Sequence, residues 1–212
     1  MISYGRQNIN QEDIDAVISV LKSDFLTQGP KVVEFERDLS SYCSVKYAKV
    51  VCNGTAALHL AYLAIGLEPG DIVWTTANTF VATANAALYC GATVDFVDID
   101  LRTYNLSINS LKEKLIQAKK DNKLPKLLVP VHFAGQSCEM KAIWELSKEY
   151  GFKVVEDACH ALGGEYLNKK VGNCEYSDMA VFSFHPVKMI TTGEGGAITT
   201  NNKQLDEKIE LL

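Results

Sequence analysis

Three short segments combine residue types and spacings that can do chemistry. The first, Cys52-Asn53-Gly54-Thr55-Ala56-Ala57, joins an apolar run to a helical pattern. Gly54 lets backbone approach a ligand closely, the first helical turn offers free N–H groups at its positive end, and Thr55 adds a hydroxyl. The segment reads as a phosphate cradle or as an ordinary capped helix start. It is not a P-loop, because G-x-x-x-x-G-K-[ST] is absent. The second, Val154-Val155-Glu156-Asp157-Ala158-Cys159-His160, closes an apolar run on an acid. At a sheet edge Asp157 can hold a cation or a protonated ring nitrogen, or it can simply cap a helix. His160 belongs to the core or to the wall of a site. The third is Ser183-Phe184-His185-Pro186-Val187-Lys188, followed by Thr191-Thr192-Gly193-Glu194-Gly195-Gly196. A lysine in apolar surroundings loses solvation, which brings its neutral, nucleophilic form within reach. Schiff-base chemistry needs that form. An exposed loop lysine is the alternative.

Taken together, a helix start, an acid at a strand end and a later lysine are the three anchors of pyridoxal 5′-phosphate. They serve its phosphate, its ring nitrogen and its aldehyde. Phe80, in Asn78-Thr79-Phe80-Val81-Ala82-Thr83, either stacks on such a ring or belongs to the core.

The elements that must carry these segments follow from hydrophobic period. Asn10 is placed to cap a helix that buries Ile14, Val17, Ile18 and Leu21, and a second helix covers 31–42 after a turn through Thr27-Gln28-Gly29-Pro30. A buried strand over 47–52 leads into a helix that opens at Gly54, with Leu58, Ala61, Tyr62 and Ile65 on one stripe. Strands are expected over 72–75, 93–98, 127–131, 153–156, 179–184 and 196–200, with helices over 79–89, 107–119 and 138–150. This alternation predicts an α/β fold whose mostly parallel sheet is sandwiched by helices. In such sheets ligands gather at the carboxyl ends of the strands. A last helix from about Asn202 is expected to bury Leu205, Ile209 and Leu212. It ends on an unfinished apolar stripe, which predicts that the natural protein continues.

Composition narrows the function classes. The chain has 212 residues, 47% hydrophobic and 22% charged, with a net charge of −5. That balance fits a globular protein and argues against a sequence-independent nucleic-acid binder, which needs a basic footprint. No apolar run reaches the ~20 residues of a membrane span, and the N-terminus lacks a secretory layout. The 6 cysteines include no C-x-x-C pair and no metal-ligand spacing, so a reducing, cytoplasmic setting is expected and no metal site. No G-x-G-x-x-G follows a strand, and Gly135-Gln136-Ser137-Cys138-Glu139 lacks the second glycine of a nucleophile elbow. A nucleotide-dependent oxidoreductase or a hydrolase is therefore disfavoured.

The segments Leu26-Thr27-Gln28-Gly29-Pro30, Asn53-Gly54-Thr55-Ala56-Ala57-Leu58, Thr79-Phe80-Val81-Ala82-Thr83, Glu156-Asp157-Ala158-Cys159-His160, Ser183-Phe184-His185-Pro186-Val187-Lys188 and Gly193-Glu194-Gly195-Gly196 occur in that order. On these the chain resembles the DegT/DnrJ/EryC1/StrS family of fold-type I pyridoxal-phosphate sugar aminotransferases, from Tyr4 to the end. The resemblance implies an N-terminal arm and helix over 1–30, a cofactor-binding large domain over 31–212 and a smaller C-terminal domain beyond. It implies that Lys188 bonds the cofactor's aldehyde, that Asp157 pairs with the ring nitrogen, and that Thr55, the Ala56 backbone and Ser183 hold the phosphate. Phe80 would stack on the ring, with His160 beside it. Tyr4, Asp24, Phe25, Leu26 and Thr27, with Thr55 and Ser183, match positions that touch a nucleotide-sugar substrate. The family's dehydratase branch carries histidine at the position of Lys188, so lysine favours transamination. Within the family, Ser183-Phe184-His185 and His160-Ala161-Leu162-Gly163-Gly164-Glu165-Tyr166 match the branch serving pseudaminic acid biosynthesis. The implied reaction moves an amino group from an amino acid, L-glutamate, to C4 of a UDP-4-keto-6-deoxy-N-acetylhexosamine, in a homodimer with shared active sites. A chain that only binds or dimerises is the alternative, distinguished by whether added cofactor produces a visible absorbance band.

Overall fold

The computed structural model describes residues 5–212. The first helix, α1 (Gln11–Leu21), starts where expected. Asn10 Oδ1 accepts from the amides of Glu12 and Asp13, and Asp13 returns a bond to the Asn10 amide. This reciprocal cap satisfies donors that the first turn would leave open. Its apolar stripe is not buried: Ile14, Val17, Ile18 and Leu21 are all exposed, because α1 packs on no other described element closely enough to cover it.

The rest is one layered α/β unit. In chain order it contains α2 (Pro30–Cys43), β1 (Tyr47–Val51), α3 (Gly54–Ile65), β2 (Ile72–Thr76), α4 (Val81–Tyr89) and β3 (Thr93–Val97). There follow α5 (Ile108–Lys120), β4 (Leu127–Leu128), α6 (Met140–Tyr150) and β5 (Lys153–Asp157). A two-residue hairpin, β6 (Glu165–Tyr166) and β7 (Lys169–Lys170), precedes β8 (Met179–Ser183), β9 (Gly196–Thr200) and α7 (Lys203–Leu211). The main sheet has the order β1-β9-β8-β5-β4-β2-β3. Neighbours from β8 to β3 run parallel, whereas β9 is antiparallel to both β8 and β1. The carboxyl ends of β1, β8, β5, β4 and β2 therefore share one edge with the start of β9. Connections from β2 lead outward to β3 and those from β4 lead the other way to β5. The crevice between them is the switch point at which such sheets bind ligands.

Two-residue alternation sorts the core. Val73, Leu127, Val155, Met179, Val181 and Ile198 face α3, α4 and α7. Trp74, Leu128 and Val154 face α5 and α6, and Ala180, Phe182 and Ala197 pack beneath α2. A fully buried side chain of this size contributes roughly 1.5–3 kcal/mol. On the first face, Ala57, Ala61, Ala82 and Ala86 let α3 and α4 lie close to the strands.

Differences from the sequence reading have local causes. The strand expected over 127–131 forms a ladder only at β4, since Pro130 has no N–H to give; Val131 then makes an isolated bridge to Asp157. β1 is an edge strand with only Ala48 buried, not a buried one. In α7, Leu205 and Ile209 are buried but Leu212 is exposed.

Gly196 shows how tightly the site edge is built. A Cβ there would lie 2.5 Å from the carbonyl carbon of Asn53 and 2.7 Å from the Gly54 amide. Gly196→Ala is expected to push the Asn53–Gly54 turn away from β9, costing about 2 kcal/mol of stability and lowering Tm by several degrees. An unchanged melting curve for that variant would contradict the close approach.

Candidate active site

The register of the sheet brings the three segments together. Ser183 pairs with Gly196, which pairs with Val51, so the end of β8 faces the turn that starts α3. Gly54 is required at that contact: a Cβ would lie 2.9 Å from Ser183 Cβ and 3.3 Å from Cys159 Sγ. On β5, Asp157 lies two residues beyond Val155 and pairs with Val181. By the same alternation Asp157 and Ser183 emerge on the face covered by α3 and α4.

The result is one cleft of ≈ 550 Å³. Thr55, Phe80, Asp157, His160, Ser183 and Lys188 all line it. Thr55, Ser183, His160 and Lys188 are half-buried, while Phe80 stands at the N-cap of α4 and is 73% exposed. The first-turn amides of Gly54 and Thr55 have no acceptor within the helix, and they point the positive end of α3 at this edge.

Asp157 is the buried acid of the site, at 5% exposure. Its Oδ2 accepts from Thr83 Oγ1 at 2.6 Å and its Oδ1 accepts from the Cys159 amide at 3.2 Å. His160 is held below the ordinary histidine range, chiefly by burial and then by the charge of Lys188, with Asp157 pulling the other way. It is therefore neutral near pH 7. Burial and then the charge of Asp157 push the Tyr62 hydroxyl and the Cys159 thiol upward, so neither ionises beside the carboxylate.

The opposite face of β5 braces the same strand end. Glu156 bonds His132 Nε2 at 2.7 Å and accepts from Ser177 Oγ, while the Cys138 amide donates to His132 Nδ1 at 3.1 Å. Burial lowers the pKa of the His132 ring, but its bonds to Cys138 and Glu156 outweigh that and raise it to about 10. Because the Cys138 amide already donates to Nδ1, a second ring proton has no place there, and the geometry assigns the neutral ring with its proton on Nε2, donated to the carboxylate. The His132 amide in turn donates to the Asp157 carbonyl at 3.1 Å.

Not every expected residue reaches the cleft. The Ala56 amide donates to Asn53 Oδ1 at 2.8 Å, so the helix cap occupies the group expected to hold a phosphate. Asp24, Phe25, Leu26 and Thr27 are exposed on the turn after α1 and do not line the cleft. Tyr4 lies outside the described residues, but Gly5 runs beside Val187. Sequence reasoning gave no role to Thr79, Thr83, His132, His185 or Glu194. Thr79, His132, His185 and Glu194 line the cleft, and Thr83 bonds Asp157. The one signal for Thr83 was its place in the Thr79-Phe80-Val81-Ala82-Thr83 segment, one helical turn from Thr79.

Comparison with known proteins gives a consistent assignment. Residues 7–212 match the DegT/DnrJ/EryC1/StrS aminotransferase family. The chain is 50% identical over 212 residues to the UDP-4-amino-4,6-dideoxy-N-acetyl-β-L-altrosamine transaminase of Campylobacter jejuni subsp. jejuni serotype O:23/36 (strain 81-176), covering 100% of this chain and 54% of that one. Its fold superposes on Helicobacter pylori PseC, an aminotransferase involved in the biosynthesis of pseudoaminic acid, with a TM-score of 0.91 and 40% identity over 99% of this chain and 54% of that one. NtdA from Bacillus subtilis, solved with bound cofactor PMP, gives a TM-score of 0.81 and 32% identity, over 95% of this chain and 45% of that one. The chain spans about half the length of these relatives. With a matched region of this extent and a superposable fold, the chain belongs to the DegT/DnrJ/EryC1/StrS aminotransferase family.

Proposed function

We propose that the protein is a pyridoxal-phosphate-dependent nucleotide-sugar aminotransferase. In this reading it moves an amino group from an amino acid, L-glutamate, to C4 of a UDP-4-keto-6-deoxy-N-acetylhexosamine in pseudaminic acid biosynthesis. The observation that carries this reading is the single cleft shared by Lys188, Asp157 and the start of α3. The donor set suits the cofactor: a dipole-bearing helix start beside the hydroxyls of Thr55 and Ser183 for a phosphate, a buried carboxylate for a cationic ring nitrogen, and a primary amine. Bound pyridoxal 5′-phosphate supplies an electron sink for the charge that develops as a proton leaves the donor's α-carbon.

The chain's own residues do the rest. Gly54 and Thr55 amides, with the Thr55 and Ser183 hydroxyls, bind the phosphate, and the helix cap leaves Ala56 a supporting part. Asp157 holds a proton on the ring nitrogen by charge-assisted pairing. Lys188 Nζ would hold the aldehyde and, once displaced and uncharged, would take the proton from the donor carbon and deliver it to the cofactor's former aldehyde carbon. Phe80 covers one ring face and keeps water out, and neutral His160 lines the site without adding charge. We assign nucleotide-sugar contacts to Tyr4, Asp24, Phe25, Leu26 and Thr27. The run of Gly5 beside Val187 supports an arm that reaches the lysine loop. The exposed stripe of Ile14, Val17, Ile18 and Leu21, with Phe25 and Leu26, supports a homodimer in which a second copy covers it. No described helix is long and apolar enough to cross a membrane, and unpaired thiols such as buried Cys43 and Cys174 suit a cytoplasmic setting.

The test is direct. The intact protein, given pyridoxal 5′-phosphate, is expected to develop a visible absorbance band that borohydride bleaches while adding the cofactor's mass at Lys188. With L-glutamate and a panel of UDP-4-keto sugars, the 4-amino product is expected from the 6-deoxy-N-acetylhexosamine. A protein that forms no band, or attaches the cofactor elsewhere, sinks the proposal.

A further inference from the structure

The carboxylate of Asp157 is held by a hydroxyl relay whose polarity the geometry fixes. Thr83 is fully buried, with its Oγ1 2.6 Å from Asp157 Oδ2 and 2.7 Å from Thr79 Oγ1. A hydroxyl has one proton, and an ionised carboxylate can only accept. The Thr83 proton therefore goes to Asp157, and Thr83 Oγ1 accepts from Thr79, whose residue lines the cleft. With the Cys159 amide on Oδ1, both carboxylate oxygens are tied and the plane of the group cannot turn.

The position of Thr83 is itself over-determined. Its carbonyl accepts from the buried Tyr62 hydroxyl at 3.0 Å, which ties α4 to α3. Its amide donates to the Phe80 carbonyl at 3.1 Å, so the aromatic wall and the hydroxyl move as one helical turn. A short bond to a charged acceptor in a buried site is stronger than a neutral one and draws charge off the oxygen it meets. Tyr62, Cys159, His160 and Lys188 are titratable groups near the carboxylate, and the first three are neutral near pH 7; His132, His185 and Glu194 also line the cleft. Thr83 is thus the uncharged donor best placed to set how firmly Asp157 holds a proton opposite it.

We propose that Thr83 is a positioning residue for Asp157, which fixes the plane of its carboxylate and tempers its basicity toward a cationic ring nitrogen in the cleft. The inference rests on the function proposed above, and it adds a residue that touches neither ring nor substrate.

The test uses Thr83→Val and Thr83→Ser in the intact protein. Thr83→Val keeps the shape and deletes the donor; Thr83→Ser keeps the donor. Two quantities are read: pyridoxal-phosphate affinity of the cofactor-free protein, by absorbance titration, and the pH midpoint of the bound cofactor's absorbance band. A more basic Asp157 would draw the ring proton toward itself, leave less positive charge on the ring and so lift the midpoint. Thr83→Val is expected to bind about tenfold more weakly and to raise the midpoint by about half a pH unit or more, with both restored by Thr83→Ser. A folded Thr83→Val with wild-type affinity and midpoint overturns the proposal, as does a folded Thr83→Ser that restores neither. Should Thr83→Val not fold, Thr79→Val removes the hydroxyl behind Thr83 and is expected to move the midpoint the same way by less. An unchanged midpoint there also overturns it. A wild-type protein with no band would end the proposed function itself, whereas a wild-type band with unaltered variants would end only the role of Thr83.

Discussion

Lys188→Ala in the intact protein is expected to lower amino transfer by on the order of 10⁴-fold or more, with the fold retained. In the proposed reading two contributions vanish together: the primary amine assigned to hold the cofactor, and the base assigned to move a proton between donor and cofactor. A positioned general base alone is worth about 10²–10⁴-fold, and loss of the covalent anchor removes the amine exchange that brings the donor in. Lys188 is half-buried in the loop after β8 and makes no ion pair among the described residues, so its deletion strands no buried charge. Stability should change little. A second readout is independent of turnover. After burial, the charge of Lys188 is the largest influence holding His160 down, so its removal should move the His160 titration midpoint upward, as read by NMR. A variant that still turns over substrate at a substantial fraction of the wild-type rate would remove Lys188 from the chemistry.

Asp157→Asn is expected to cost about 10²–10³-fold in turnover, the usual loss when one preorganised electrostatic partner of the reacting group is neutralised. The substitution preserves shape but not hydrogen-bond polarity. The Thr83 hydroxyl and the Cys159 amide both arrive as donors, at 2.6 and 3.2 Å on different oxygens. An amide supplies one acceptor oxygen, so its NH₂ must face one of these donors or the Thr83 hydroxyl must turn away. A stability loss of about 1 kcal/mol accompanies the kinetic loss. Cofactor affinity should also fall, because a neutral amide cannot hold a charged ring nitrogen. Steady-state kinetics and cofactor titration check both parts. Turnover within twofold of wild type would show that Asp157 is structural.

These two residues were also the most legible in the sequence, for a physical reason. An apolar run that stops on an acid, such as Val154-Val155-Glu156-Asp157, marks the exit of a buried strand, and that exit is where an open α/β sheet binds. The helix start at Asn53-Gly54 and the lysine four residues past Phe184 carried the same kind of local signal. The sequence does not reveal where a cap points: Asn53 turns its side chain onto the Ala56 amide, the group assigned to a phosphate. The stripe of α1 was read as buried because a 3.6-residue period reports an apolar face and says nothing of what covers it. Asp24, Phe25, Leu26 and Thr27 stand on the turn after that uncovered helix, away from the cleft.

Thr83 marks the limit of sequence reading most clearly. Its hydroxyl meets a carboxylate 74 residues away along the chain, and apart from its place in the Thr79–Thr83 segment nothing in the local pattern separates it from an ordinary helical threonine. The sequence by itself determined the alternation of strands and helices, the faces to which Asp157 and Ser183 point, and the chemical types gathered at the strand ends, since these depend on period and on adjacent residues. Only the tertiary structure decided which ends meet. The sheet order sets β8 between β5 and β9, and the Ser183–Gly196–Val51 register carries the α3 start to the β8 edge. That choice depends on long-range pairing and on close backbone contacts at Gly54 and Gly196, interactions that no local stretch of chain encodes.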